Sequence, residues 1–146
     1  NTVMMGYHKD KSATNKAFAK GWFHTGDIAV IHKSGYIQLK DRSKDIIISG
    51  GENISSIEIE NVLFKHKDIV DAAVVSMKDD KWGEVPCAFV TLKKNSTIKE
   101  QEIIQFCRNN MASFKIPKSI IFGKIDKTPT GKTQKFLLRK RVNQTD

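Results

Sequence analysis

Asp41-Arg42-Ser43-Lys44-Asp45-Ile46-Ile47-Ile48-Ser49-Gly50-Gly51-Glu52-Asn53 decides how the chain is organised. Its first half is charged. The three isoleucines then make residues 45–49 a short buried strand, ending at a flexible Gly50-Gly51 pair. Upstream, Ile28, Val30, Tyr36, Ile37 and Leu39 are strand formers flanking Lys33-Ser34-Gly35, a turn signal. Asp27 to Lys40 therefore reads as a β-hairpin. Residues 13–20 have the length of one or two helical turns. Downstream, Ser55-Ser56-Ile57-Glu58 is a capping box, with Ser55 at the N-cap and Glu58 three residues on. Ile57, Val62 and Leu63 carry the apolar face of that helix to about His66.

The rest of the chain alternates in the same way. Val70 to Met77 is strand-like, Asp79 to Glu84 is a loop, and Pro86 to Leu92 is a second strand with Pro86 at its start. Thr97-Ile98-Lys99-Glu100 caps a helix whose apolar face is Ile103, Ile104, Phe106 and Cys107. Ile120 to Phe122 is a strand, and Thr133 to Arg141 a last short helix. From residue 45 the order is β-α-β-β-α-β-α. This predicts an α+β domain with a small mixed or antiparallel sheet flanked by helices. Residues 1–43 are too short and hairpin-like to fold alone. They are expected to end a preceding larger domain, with residues 44–146 forming a second one.

Composition excludes several classes. Of 146 residues, 39% are hydrophobic and 28% charged, an ordinary globular balance. No apolar run approaches the roughly 18 residues of a membrane span. No signal peptide is visible, and the chain starts at Asn1 without an initiator methionine, as expected of a fragment of a longer chain or of a chain trimmed in processing. The two cysteines, Cys87 and Cys107, are expected to be reduced core residues. No Cys/His spacing suits a metal. The net charge is +9. Between Lys115 and Arg141 lie nine Lys and Arg against one acid, Asp126, a local excess of +8. Such a face suits an anionic partner, or is simply a solvated surface.

Several residues have the chemistry of a site. In Thr128-Pro129-Thr130-Gly131-Lys132-Thr133, Lys132 is a point charge on a turn, suited to a phosphate or carboxylate. It does not belong to a P-loop, because the required glycine is replaced by Asp126. In Gly21-Trp22-Phe23-His24-Thr25-Gly26-Asp27, the Asp27 carboxylate can accept two hydrogen bonds from a ribose diol, although Thr-Gly-Asp is also a common turn. Arg42 can fork onto phosphate or ribose oxygens. Lys44 stands where a hinge would absorb a rotation. Gly50-Gly51 lets a thin ligand pass against bare backbone, or is an ordinary turn. Trp82, in a polar loop, either stacks on a ligand such as a purine or lids the small sheet.

Gly21–Asp27, Asp41–Asn53, Trp82-Gly83-Glu84-Val85-Pro86 and the Pro129–Lys132 turn, in that order, resemble the C-terminal part of acyl-CoA synthetases. These are the adenylate-forming acid–CoA ligases, a family that includes luciferases and peptide-synthetase adenylation domains. The resemblance runs from about residue 5 to 140. It implies the tail of a large N-terminal domain followed by a mobile C-terminal domain. It implies two reactions: a carboxylic acid and ATP give acyl-AMP and pyrophosphate, and coenzyme A then displaces AMP. Asp27 and Arg42 match the ribose-binding pair, Lys44 the hinge (Asp in other members), and Lys132 the adenylation lysine. Asn53 matches a polar or basic residue near the phosphate, here without charge. Gly51 matches the glycine lining the pantetheine tunnel, with Gly50 beside it and Trp82 as a further CoA contact. ATP would bring Mg2+ held by the N-terminal domain. The fragment alone is expected to be inactive, and the acid to be fatty or aromatic. The expected partners are the acid, ATP, CoA and the enzyme's own N-terminal domain, with no nucleic acid and no membrane span. The tail Asn143-Gln144-Thr145-Asp146 is not a peroxisomal address, although the true C-terminus can lie elsewhere; the expected compartment is the cytoplasm, with the peroxisome or another organelle left open. The rival expectations are a basic module binding nucleic acid, or a stand-alone subunit acting in trans.

Overall fold

The computed structural model describes residues 2–144. Asn1 and the Thr145-Asp146 tail, on which the start and targeting expectations rest, lie outside the described residues. The chain divides into two compact units, Asn1–Lys44 and Asp45–Asp146.

The first unit opens with helix α1 (Lys11–Ala17), whose first turn is capped by Asp10 accepting from the Ala13 N–H at 2.8 Å. Strands β1 (Asp27–Ile31) and β2 (Ile37–Arg42) then form an antiparallel hairpin. Its turn is closed by His32 N–H to the Tyr36 carbonyl at 2.9 Å, with Gly35 at φ +82°. Ile28, Val30, Ile31, Tyr36, Ile37 and Leu39 are all exposed, so the hairpin's apolar side chains are uncovered within this unit. Among the described residues of this unit Asp41 is the buried one, and its carboxylate accepts the Arg42 N–H at 2.7 Å.

The second unit is a mixed sheet between helices. Strands β3 (Ile47–Ser49), β4 (Glu52–Ile54), β5 (Ile69–Asp79) and β6 (Gly83–Leu92) are antiparallel in the order β4-β3-β6-β5, and β7 (Ser119–Phe122) adds to β6 in parallel. Helices α2 (Ser56–Leu63), α3 (Glu100–Asn110) and α4 (Lys135–Asn143) supply the layers. Ala72 and Val74 of β5 and Ala88 and Val90 of β6 join Ile59 and Leu63 of α2 and Ile103 and Cys107 of α3 in one core. The alternate residues Ala73, Val75, Cys87 and Phe89 face Ile125 and Leu138 of α4 in a second. The period-2 alternation thus serves two apolar faces, which is why both strands read as nearly continuous hydrophobic runs. Each fully buried Ile or Leu contributes about 1.5–3 kcal/mol.

Local chemistry sets the element ends, sometimes differently from expectation. Ser55 caps α2 as the capping box requires, its Oγ accepting the Glu58 N–H at 3.2 Å. Gly50-Gly51 does not simply end a strand: at φ +58° and +88° it forms the two-residue turn joining β3 to β4, a strand absent from the sequence reading. Pro86 lies inside β6, opposite Ser76, rather than at its start. It falls between the Gly83 pairing with β3 and the Cys87 pairing with β7, so its missing N–H costs no ladder bond. Lys99, not Thr97, caps α3, with Glu102 Oε2 accepting the Lys99 N–H at 2.9 Å. Glu100 instead accepts the Ile120 N–H at 2.9 Å.

Candidate functional site

The expected site residues fall into three groups. In the first unit, Asp27 and Arg42 are cross-strand partners of the hairpin. Arg42 Nε donates to Asp27 Oδ1 at 2.8 Å, and the Asp27 N–H donates to Thr25 Oγ1 at 3.1 Å. The Arg42 guanidinium, hydrogen-bonded to the carboxylate, holds Asp27 below the usual carboxylate range, so it stays an ionised acceptor. Lys44, exposed, is the last residue of this unit.

In the second unit, Gly50 and Trp82 meet. The Gly50 N–H donates to the Trp82 carbonyl at 2.9 Å. A Cβ at Gly50 would lie 2.7 Å from Trp82 Cε3, so the indole rests directly on glycine backbone. Nothing lies within 4 Å of the equivalent point on Gly51. Asp79 shapes the Trp82 loop by accepting the Lys81 and Trp82 N–H groups, each at 3.0 Å. Lys118 also bonds this carboxylate, and its ammonium is the main reason Asp79 sits below its ordinary pKa. Trp82 is 48% exposed, with the Lys81 ammonium 4.8 Å from its ring centre. Gly50, Trp82, Pro86, Phe114, Ile116 and Lys118 line an open cleft of about 470 Å3. Glu52 also lines it, so the largely apolar wall carries one carboxylate and the Lys118 ammonium, itself paired with Asp79, and suits a thin or aromatic ligand part. Phe114, Ile116 and Lys118 did not stand out in the sequence. Their signal was the compact Phe114-Lys115-Ile116-Pro117-Lys118 string beyond α3. Asn53, exposed on β4 opposite Ile48, belongs to the same hairpin as the glycines.

Lys132 forms the third group. Its turn is not loose: the Thr128 N–H donates to the Lys132 carbonyl at 2.8 Å and the Lys132 N–H to Thr128 Oγ1 at 3.1 Å. Gly131, at φ +82°, donates to the Thr128 carbonyl at 2.9 Å. The Lys132 side chain is exposed, and no partner is found for its ammonium among the described residues.

The basic segment is largely neutralised within the fold. Lys115 pairs with Glu58 at 2.6 Å, Lys118 with Asp79, Lys127 with Asp71 at 2.5 Å, Lys135 with Glu60 at 2.7 Å and Arg139 with Asp45 at 2.6 Å. Arg141 lies 4.0 Å from Asp126 and over the Phe89 ring. The expected basic face is therefore mostly a set of intramolecular ion pairs, which removes the main support for a nucleic-acid module. Among the described residues no acid, His or Cys cluster suits a metal ion, and no helix is long and apolar enough to cross a membrane.

Residues 58–132 match the family described as AMP-binding enzyme C-terminal domain. The chain belongs to this family. Along 99% of its length, this AMP-binding C-terminal domain chain is 52% identical to the acetate–CoA ligase CCL3 of Humulus lupulus, covering 26% of that protein. It is also 52% identical to the peroxisomal trans-cinnamate:CoA ligase of Petunia hybrida, over 95% of the chain and 25% of the relative. The ATP-bound MatB structure from Rhodopseudomonas palustris superposes with a TM-score of 0.88 at 33% identity, over 95% of this chain and 28% of MatB. The chain thus spans about a quarter of the length of the relatives it matches.

Proposed function

We propose that this chain is the C-terminal part of an ATP-dependent acid–CoA ligase. A carboxylate oxygen attacks the α-phosphorus of ATP and pyrophosphate leaves. The CoA sulfur then attacks the acyl carbonyl and AMP leaves. The observation that carries the reading is equal, 52% identity to relatives named for acids as different as acetate and trans-cinnamate. What such relatives share along this segment is the activation chemistry, not the acid. We assign the acid to the fatty or aromatic class, to be chosen by parts of the enzyme outside this chain.

In this reading, residues 1–43 end the large N-terminal domain, whose remainder would cover the exposed apolar side chains of the hairpin. Residues 44–146 form the mobile C-terminal domain, with Lys44 as hinge. Asp27, kept ionised by Arg42, accepts the ribose hydroxyls, and Arg42 has further N–H groups for the same sugar. The exposed Lys132 ammonium neutralises charge developing on carboxylate and phosphate during adenylation, and the Asn53 amide offers a neutral donor to phosphate. Gly50 and Trp82 take CoA in the 470 Å3 cleft, where bare backbone and an indole face admit the thin pantetheine arm, and Gly51, next to Gly50 on the same turn, leaves room for it. Mg2+ and the rest of the ATP contacts come from the N-terminal domain, so the fragment alone is inactive. The cytoplasm is the assigned compartment, with the peroxisome as the alternative raised by the name of the Petunia relative.

The test is pyrophosphate release by the full-length enzyme with ATP and a panel of carboxylic acids. Acid-dependent release is expected. Release with no acid in the panel would overturn the reading.

A further inference from the structure

Helix α4, which begins three residues after Lys132, carries three polar side chains at four-residue intervals: Lys135, Arg139 and Asn143. This spacing puts them on one face. Each is bonded into a different part of the second unit. Lys135 Nζ lies 2.7 Å from Glu60 Oε1 and donates to Ser56 Oγ at 2.7 Å. Glu60 Oε1 also accepts the Val74 N–H at 2.8 Å. Asn143 Oδ1 accepts the Lys78 N–H of β5 at 2.9 Å. Arg139 Nη1 donates to Asp45 Oδ1 at 2.6 Å. Asp45 is only 9% exposed and is the first residue of the unit, directly after Lys44. A short charge-assisted bond between two largely covered side chains fixes orientation in a way an exposed pair does not.

We propose that Asp45 and Arg139 are positioning residues for Lys132: their bond fastens the helix behind the Lys132 turn to the residue after the hinge, so a backbone rotation at Lys44 carries Lys132 with it. The inference rests on the reading of Lys44 and Lys132 given above. Upstream of Lys132, Lys127 is tied to Asp71 of β5 and bridges Thr133 across the base of the turn. Downstream, the anchoring passes through α4, and Arg139 is its link to the unit's first residue. The Gly50–Trp82 cleft draws on β3, β4, β6 and the 113–118 segment and on no residue of α4. Releasing Arg139 should therefore loosen Lys132 and leave the cleft intact.

The experiment compares Arg139→Gln and Arg139→Lys in the full-length enzyme, with Lys132→Ala in parallel. It reads acid-dependent ATP–pyrophosphate exchange, thioester formation from supplied acyl-adenylate, and thermal midpoint. Small misplacements of a catalytic group are costly, so Arg139→Gln should lower the exchange kcat by about tenfold or more. KM for ATP and the thioester step should stay within about twofold, since neither draws on α4. Arg139→Lys, which keeps the charge but loses the planar fork, should fall between wild type and Arg139→Gln. Unchanged exchange in Arg139→Gln overturns the proposal, and so does an equal fall in both steps. If Arg139→Gln does not fold, a lysine variant without the split between steps overturns it as well. Loss of exchange in Lys132→Ala but not in the Arg139 variants would refute the positioning role alone. Normal exchange in Lys132→Ala would refute the underlying reading together with it.

Discussion

Gly50→Ala and Gly51→Ala should separate two costs that these adjacent glycines share only in part. Both residues are in the left-handed region, at φ +58° and +88°. An L-residue there costs about 1–2 kcal/mol. That is the whole expected effect at Gly51, where a Cβ would meet nothing within 4 Å. At Gly50 the new Cβ would lie 2.7 Å from Trp82 Cε3 and 3.1 Å from Cζ3. Carbon atoms prefer about 3.5–4.0 Å, so the indole must retreat by about 1 Å. Overpacking of this kind costs about 1–3 kcal/mol, and the half-exposed ring should keep it near the lower end. Gly50→Ala should thus destabilise by about 2–3 kcal/mol, roughly 1 more than Gly51→Ala. Urea unfolding gives both values. In a Trp22→Phe background, emission from Trp82 should shift in Gly50→Ala and not in Gly51→Ala. Equal destabilisation with unchanged Trp82 emission in both variants would refute the contact and the role given to it.

Two further outcomes follow from ionisation. Because Arg42 lowers the Asp27 pKa, Asp27 contributes stability that is present above its ordinary value of 3.8 and lost as pH falls through the lower folded value. Arg42→Ala should raise the Asp27 titration toward 3.8 in a carboxyl carbon NMR titration and shrink that acid loss; an unmoved Asp27 would contradict the pairing. Burial pushes both the Cys87 and Cys107 thiols up to about 11, and they belong to cores on opposite faces of the sheet. Neither should react with a thiol reagent at mildly alkaline pH until the protein is unfolded in urea. Rapid labelling of the native chain would show that a core is open.

The elements easiest to read were those with local causes. Ser55 and Glu58 announce the start of α2 three residues apart, and the Lys33–Gly35 turn between β-branched and aromatic residues announces the hairpin. Strand β4 was missed because Glu52-Asn53-Ile54 offers one apolar residue and no period. Pro86 misled because a proline inside a strand is tolerated only where partners change, and the change from β3 to β7 is a tertiary fact. The basic segment misled for the same reason. Its neutralising acids, Asp45, Glu58, Glu60, Asp71 and Asp79, lie 39 to 94 residues before the Lys115–Arg141 side chains they meet. Gly50 and Trp82 could each be singled out as a candidate contact, but their stacking depends on β3 lying beside β6. The Phe114–Lys118 string is a local signal of a compact segment, but that it walls a cleft with Gly50 and Trp82 depends on tertiary packing.

The central claim is that separate surfaces of this chain serve the two steps of one ligase. It is tested most directly by measuring both half-reactions in full-length Lys132→Ala and Gly51→Leu. Lys132→Ala should lower acyl-adenylate formation by about 10²–10³ while thioester formation from supplied acyl-adenylate persists. The reverse is expected for Gly51→Leu, where a side chain enters the space left to CoA. Parallel loss of both steps in both variants, or normal thioester turnover in Gly51→Leu, would contradict the claim.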